Sequence, residues 1–111
     1  MLTIKKNNEF QSAFQHGKWY HAECFVIYVN KNHLETNRIG IAVGKKVANS
    51  VKRNRIRRVI REAYRSVENQ LLQVYDIIIV WKNGVDMENV CFRIAEENLT
   101  AGLKKAGLFL E

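Results

Sequence analysis

The segment Lys45–Arg65 (KKVANSVKRNRIRRVIREAYR) constrains the fold of this chain more than any other. It holds nine basic residues and one acid, Glu62, for a net charge of +8. Such a run can join a folded domain only as an element with one narrow apolar side, and a helix supplies that side. At roughly 100° per residue, Ile56, Val59, Ile60, Ala63 and Tyr64 fall within about 140° of one another. Asn54, Arg57, Arg58, Arg61 and Arg65 point the other way, and Arg53 and Arg55 flank the stripe. Asn49 or Ser50 is expected to cap the start, and Val51 falls off the stripe, as a first-turn residue does. The helix must therefore lay one side on a sheet and turn a fan of guanidinium groups outward.

The flanking sequence supplies that sheet. In RIGIAVG (38–44), Ile39, Ile41 and Val43 alternate toward a core. Gly40, Ala42 and Gly44 leave the other face almost bare, so something can approach this backbone closely. DIIIVW (76–81) reads as a short strand buried on both faces. Residues 19–30 (WYHAECFVIYVN) are β-rich, with a break allowed near Glu23. Phe25, Ile27 and Val29 share one side of that strand, and Cys24, Val26 and Tyr28 the other. Asn30–Asn37 is polar and reads as a turn. Ahead of these, Asn7 or Asn8 can cap a short helix in which Phe10, Ala13 and Phe14 sit at i, i+3 and i+4, closed by Gly17. Asp86 is expected to cap a last helix reaching about Lys105. Its stripe holds Val90, Cys91, Ile94 and Ala101, with Phe92, Leu99 and Leu103 beside it. The order is α-β-β-(β)-α-β-α, a two-layer α+β sandwich, in one domain covering residues 1–111.

Outside the basic segment the chain carries a net charge of −1, so the whole +7 of these 111 residues sits on one helix and its approach. Solvated helix faces normally mix signs. This one crowds like charges, which costs stability unless a polyanion relieves it. Six of the seven cations between 52 and 65 are Arg, whose planar fork suits phosphate and base stacking. Lys45, Lys46 and Asn49 stand where a helix N-terminus forms an anion site. These features point to nucleic acid as the partner.

Other functions find less support. GIAVGKK (40–46) lacks the glycine spacing and the Ser or Thr of a phosphate loop, which excludes nucleotide hydrolysis on this motif. His16, His21 and His33 share no metal-ligand spacing with each other or with either cysteine. No carboxylate pair stands beside a base and a nucleophile, so no catalytic residue is assigned. Cys24 and Cys91 lie in apolar surroundings typical of reduced core cysteines. With no membrane-length apolar run and no signal-peptide pattern, the expectation is a cytoplasmic domain with no membrane partner. Phe10 and Phe14 are as well explained by a helix core as by stacking on bases. Tyr28 becomes a stacking candidate for single strands if its face is not fully covered.

The run Lys45–Glu62, with its Arg-Asn-x-Ile-basic-Arg-x-hydrophobic-Arg core, closely resembles the signature of the bacterial ribonuclease P protein subunit. KKNNEFQSAFQHG, FVIYV, RIGIAVGKK and DIIIVWK agree with that family in order and spacing, so the resemblance covers nearly the whole chain. It implies a fold like the second domain of ribosomal protein S5, with a left-handed β-α-β crossover where general chirality would give a right-handed one. It also implies a ribonucleoprotein endonuclease that removes the 5′ leader of precursor tRNA, with the RNA and its Mg²⁺ ions performing the hydrolysis. The partners would be that catalytic RNA and precursor tRNA, with no obligate protein partner. The resemblance assigns RNA binding to Lys45, Lys46, Asn49, Arg53, Asn54, Arg57, Arg58 and Arg61, and the leader cleft to Phe10, Phe14 and Tyr28. In that picture a sheet face forms one wall of the cleft and the helix bearing Asn54, Arg57 and Arg61 the other. The main rival is a non-enzymatic ribosomal or RNA-chaperone protein using the same helix. A major-groove DNA reader is disfavoured, because dense arginines with few Asn or Gln suit phosphates better than base edges.

Overall fold

A computed structural model describes residues 1–44, 49–82, 85 and 91–110. Their elements are β1 (Leu2–Thr3), α1 (Asn7–His16), β2 (Lys18–His21), β3 (Phe25–Lys31), β4 (Arg38–Ala42), α2 (Ser50–Val67), β5 (Tyr75–Trp81) and α3 (Phe92–Lys105), with a 3₁₀ turn at Glu68–Gln70. The five strands form one sheet in the order β1-β4-β5-β3-β2. β4 and β5 are parallel neighbours, and α2 is the crossover between them. β3 runs antiparallel to both β5 and β2, while β1 joins the far edge parallel to β4.

Period-two alternation divides the apolar residues between the two sheet faces. Phe25, Ile27, Val29, Ile39, Ile77, Ile79 and Trp81 face α2 and α3, where they meet Ile56, Ile60, Ala63 and Tyr64 from one helix and Ala95, Leu99 and Leu103 from the other. Each such aliphatic side chain contributes about 1.5–3 kcal/mol on burial. This is the expected α+β sandwich. On the second face, Ile78 packs with Ile4 and Ala13, bordered by half-buried Phe10, Tyr28 and Val80. The DIIIVW run is thus buried on both faces, and α1 adds a partial third layer.

Several local expectations change. The long first strand breaks at 22–24 into the β2–β3 hairpin, at the anticipated place. Helix α1 is capped by Lys6, without a side-chain cap bond, and not by Asn7 or Asn8. Tertiary anchors fix that start: Ile4 is buried and its amide donates to the Ile39 carbonyl at 2.8 Å. The second face of β4 is not bare, because the Phe10 ring lies 2.9 Å from where a Cβ at Gly40 would stand. The close approach foreseen at Gly40 is made by the chain's own aromatic side chain.

Helix α3 departs most from expectation. Its N-cap is Cys91, while Asp86 and Val90 lie outside the described residues. Its buried residues are Ala95, Asn98, Leu99, Gly102 and Leu103, and Cys91, Phe92 and Ala101 are exposed. The stripe is rotated because two of its positions carry no apolar signal. Asn98 is buried because its Oδ1 accepts the Cys24 amide at 2.8 Å, and Gly102 leaves room for the Ile27 side chain. Cys91 is therefore a surface thiol, its pKa lowered chiefly by the Ile94 amide, whereas burial pushes the Cys24 thiol up.

Candidate nucleic-acid interface

The basic segment folds as α2 with the phase its apolar stripe requires. Ile56, Ile60, Ala63, Tyr64 and Val67 are buried, Val59 is half-buried, and Val51 is fully off the sheet. Asn49 is the cap: its Oδ1 accepts the Lys52 amide at 2.9 Å. The remaining first-turn amides and the helix dipole make this end attractive to anions. Lys45 and Lys46 lie outside the described residues. Tyr64 anchors the other half of the helix; burial pushes its phenol up to about 12.

The opposite side of α2 carries the fan. Asn54, Arg55, Arg58, Arg61 and Arg65 are exposed, and Arg53 and Arg57 are half-buried. Arg57 Nη1 donates to Asn54 Oδ1 at 3.2 Å, which orders one fork of the fan. Among the described residues, Arg53 Nε is buried without a hydrogen-bond partner. Among the described residues no carboxylate forms an ion pair with any of these arginines. The planar forks of such an array have the geometry to receive phosphate oxygens.

A second surface lies on the other face of the sheet. Phe10 and Phe14 of α1 have ring centroids 6.4 Å apart, and Phe14 meets Tyr28 of β3 edge-on at 4.9 Å. The structure thus brings together the three aromatic residues that spacing alone left ambiguous. Phe10 is partly core, packed on Gly40, whereas Phe14 is 38% exposed. Helix α2 does not wall this groove, because its apolar stripe contacts the Ile77 and Ile79 side while the aromatic residues border Ile78. Adjacent residues of a strand point to opposite faces, so groove and arginine fan lie on opposite sides of the sheet. The crossover leaves β4 at Ala42, whose partner is Val80 near the end of β5, and returns to Tyr75 at the other end. The start of α2 is therefore at the end of the sheet where the β2–β3 hairpin turns.

Sequence patterning missed the group that fixes the groove. Arg38 Nε and Nη2 donate to Asp76 Oδ1 and Oδ2 at 2.9 and 2.7 Å, and Nη1 donates to the Glu9 carboxylate. Asn32 Nδ2 donates to Asp76 Oδ1 at 2.9 Å. The Asp76 hydrogen bonds push Arg38 above its already high ordinary value, and the Arg38 hydrogen bond holds Glu9 below its own. This network ties α1 to β4 and β5. Its only trace in the sequence is that Arg38 and Asp76 open two apolar strands. Among the described residues no group of three or more His, Cys, Asp or Glu could hold a metal, and no helix is long and apolar enough to cross a membrane.

A family model described as Ribonuclease P matches residues 2–107. The chain belongs to the ribonuclease P protein family. The ribonuclease P protein component of Clostridium botulinum (strain Loch Maree / Type A3) is 37% identical over 107 residues, covering 96% of this chain and 95% of its own. That of Natranaerobius thermophilus is 44% identical over 86 residues, covering 78% and 75%. Among solved structures, the RNase P protein of Staphylococcus aureus superimposes with a TM-score of 0.86 at 31% identity, covering 99% of each chain. The α+β fold, with its five-stranded sheet and three helices, is that of bacterial ribonuclease P proteins. Membership in the family expected from the arginine helix is therefore met along essentially the full length.

Proposed function

We propose that this chain docks on the catalytic RNA of ribonuclease P through α2 and holds the unpaired 5′ leader of precursor tRNA in the aromatic groove. As a ribonuclease P protein it is the protein subunit of an endoribonuclease that matures the 5′ end of tRNA. The observation that carries the docking role is the arginine fan, which forms no ion pair with a carboxylate among the described residues. Arg53, Asn54, Arg57, Arg58 and Arg61 would each meet phosphate oxygens, with Lys45, Lys46 and Asn49 extending the contact past the helix start. Every such contact releases counterions, so affinity falls steeply with salt.

Phe10, Phe14 and Tyr28 offer a platform that tolerates any base, because every base has a stacking face. Because groove and fan lie on opposite faces, the leader and the catalytic RNA can be held at once. The chemistry belongs to Mg²⁺ held by the RNA, which would activate water and stabilise the departing oxygen. The chain's own part is to bind and orient the two RNAs and to offset phosphate repulsion. A cytoplasmic location follows from that reading.

The test is cleavage of precursor tRNA by the RNA with and without the protein at low Mg²⁺. We expect the protein to restore cleavage and to bind precursor tRNA more tightly than mature tRNA. Unchanged cleavage would overturn the proposal, and equal binding of the two tRNAs would favour an RNA-chaperone role.

A further inference from the structure

The aromatic surface does not stop at Tyr28. In the β2–β3 ladder Trp19 stands directly opposite Tyr28, and His21 opposite Val26. Directly opposed residues of an antiparallel pair project from the same face. Trp19 and His21 therefore share the face that carries Phe10, Phe14 and Tyr28. The tight turn at Gly17 sets this placement. A Cβ there would fall 2.9 Å from the Val29 carbonyl, so the chain can leave α1 and enter β2 within one residue.

Trp19 is 57% exposed, among the most exposed large apolar side chains of the chain, while Trp81 is 3% exposed within the main core. Trp19 meets His21 edge-on, with ring centroids 4.9 Å apart and an interplanar angle of 83°. A T-shaped pair covers only one of its four flat faces, so ring surface remains open to a planar ligand. Cationic groups lie at the same hairpin: Lys82 Nζ donates to the Ala22 carbonyl at 2.6 Å and Lys105 Nζ to the His21 carbonyl at 2.9 Å. Glu23 in the turn is the one carboxylate of the β2–β3 hairpin. An exposed indole that continues the aromatic face of Tyr28, on a hairpin whose turn carbonyls hold two ammonium groups, fits a nucleobase and its phosphate better than an apolar protein surface.

We propose that Trp19, with His21 as its edge-on support, forms an additional base-stacking subsite that extends the leader groove from Tyr28 onto the edge strand by about one nucleotide. The step equals one strand spacing, about 4.8 Å. This proposal rests on the groove being the leader's site, and its test separates the two.

Precursor tRNAs are made with leaders lengthened one nucleotide at a time, and binding to the assembled holoenzyme is measured for wild type, Trp19→Ala and Trp19→Phe. Wild type should gain affinity until the groove is full. Trp19→Ala should match wild type on short leaders, stop gaining about one nucleotide earlier, and end roughly five- to tenfold weaker on long ones. Trp19→Phe should regain most of the loss. In the wild-type protein, the exposed indole should also be shielded from iodide quenching by long-leader substrate only.

Identical curves for wild type and Trp19→Ala, or an equal loss at every leader length, would overturn the Trp19 subsite while leaving the groove in place. A wild-type holoenzyme indifferent to leader length would sink both. An indole signal that tracks protein concentration without RNA would reassign the patch to contact between copies and overturn the proposal.

Discussion

Arg38 and the arginines of α2 are the same side chain put to opposite uses. Arg38 is enclosed: its side chain is 19% exposed and its guanidinium is shared by the carboxylates of Glu9 and Asp76. Among the described residues, the arginines of α2 form no ion pair with a carboxylate. Arg38 neutralises two anions on neighbouring elements, so its charge is consumed inside the fold, and the product is position: α1, β4 and β5 are locked beneath the groove. The guanidinium groups of α2 form no such pair among the described residues and are available to phosphate. Net charge alone cannot distinguish the two. What separates them is whether the fold brings a carboxylate within reach.

The sharpest way to break this contrast is Arg38→Ala. Asp76 is 5% exposed, and removing its bidentate partner leaves a buried, uncompensated carboxylate. A loss of about 3–5 kcal/mol is expected by urea unfolding, with the salt dependence of RNA binding by the folded protein unchanged. Arg38→Lys should recover only part of it, since an ammonium cannot reproduce the fork. Next in size is Arg57→Ala combined with Arg61→Ala. Stability should stay within about 0.5 kcal/mol, because neither side chain belongs to the buried stripe. RNA affinity should fall, and the slope of log K against log salt should become shallower by about 1.4–1.8 units for two lost phosphate contacts. Unfolding by the second variant, or a salt effect from the first, would erase the distinction between structural and binding arginines.

What the sequence made legible divides along a similar line. The phase of α2, its Asn49 cap and its outward fan follow from local spacing and local capping, and the structure places each of them so. The doubly buried DIIIVW strand and the hairpin break near Glu23 are local in the same sense. The stripe of α3 is not, because two of its buried positions are Asn98 and Gly102, chosen by the Cys24 amide and the Ile27 side chain far away in sequence. The Lys6 cap depends on Ile4 docking against β4, and β1 is too short to carry any period. The Arg38 network needs the β4–β5 register, which aligns Arg38 with Asp76, as well as the placement of α1. Trp19 escaped notice for the same reason, since only the β2–β3 register puts it beside Tyr28.

The mildest way to loosen Arg38 is acid, acting through Glu9. Its carboxyl is held below the ordinary value of 4.5, first by the hydrogen bond from Arg38. A carboxyl whose folded value is depressed adds stability that is fully present above the unfolded value and disappears as pH falls through the folded one. Above pH 4.5 the contribution of Glu9 should therefore be constant, and below it unfolding should become progressively easier. Glu9→Gln should remove that portion of the acid sensitivity and lower stability slightly at neutral pH, bringing the two unfolding curves together in acid. The effect should be small, because Glu9 sits at the solvent edge of the network while Asp76 keeps both of its bonds to Arg38. Glu9 belongs to α1, on the sheet face away from α2, so RNA affinity per folded molecule should not follow the Glu9 titration. An RNA affinity that did follow it would mean that the α1 anchor and the arginine fan are coupled through the sheet, and that the two sets of arginines are not independent.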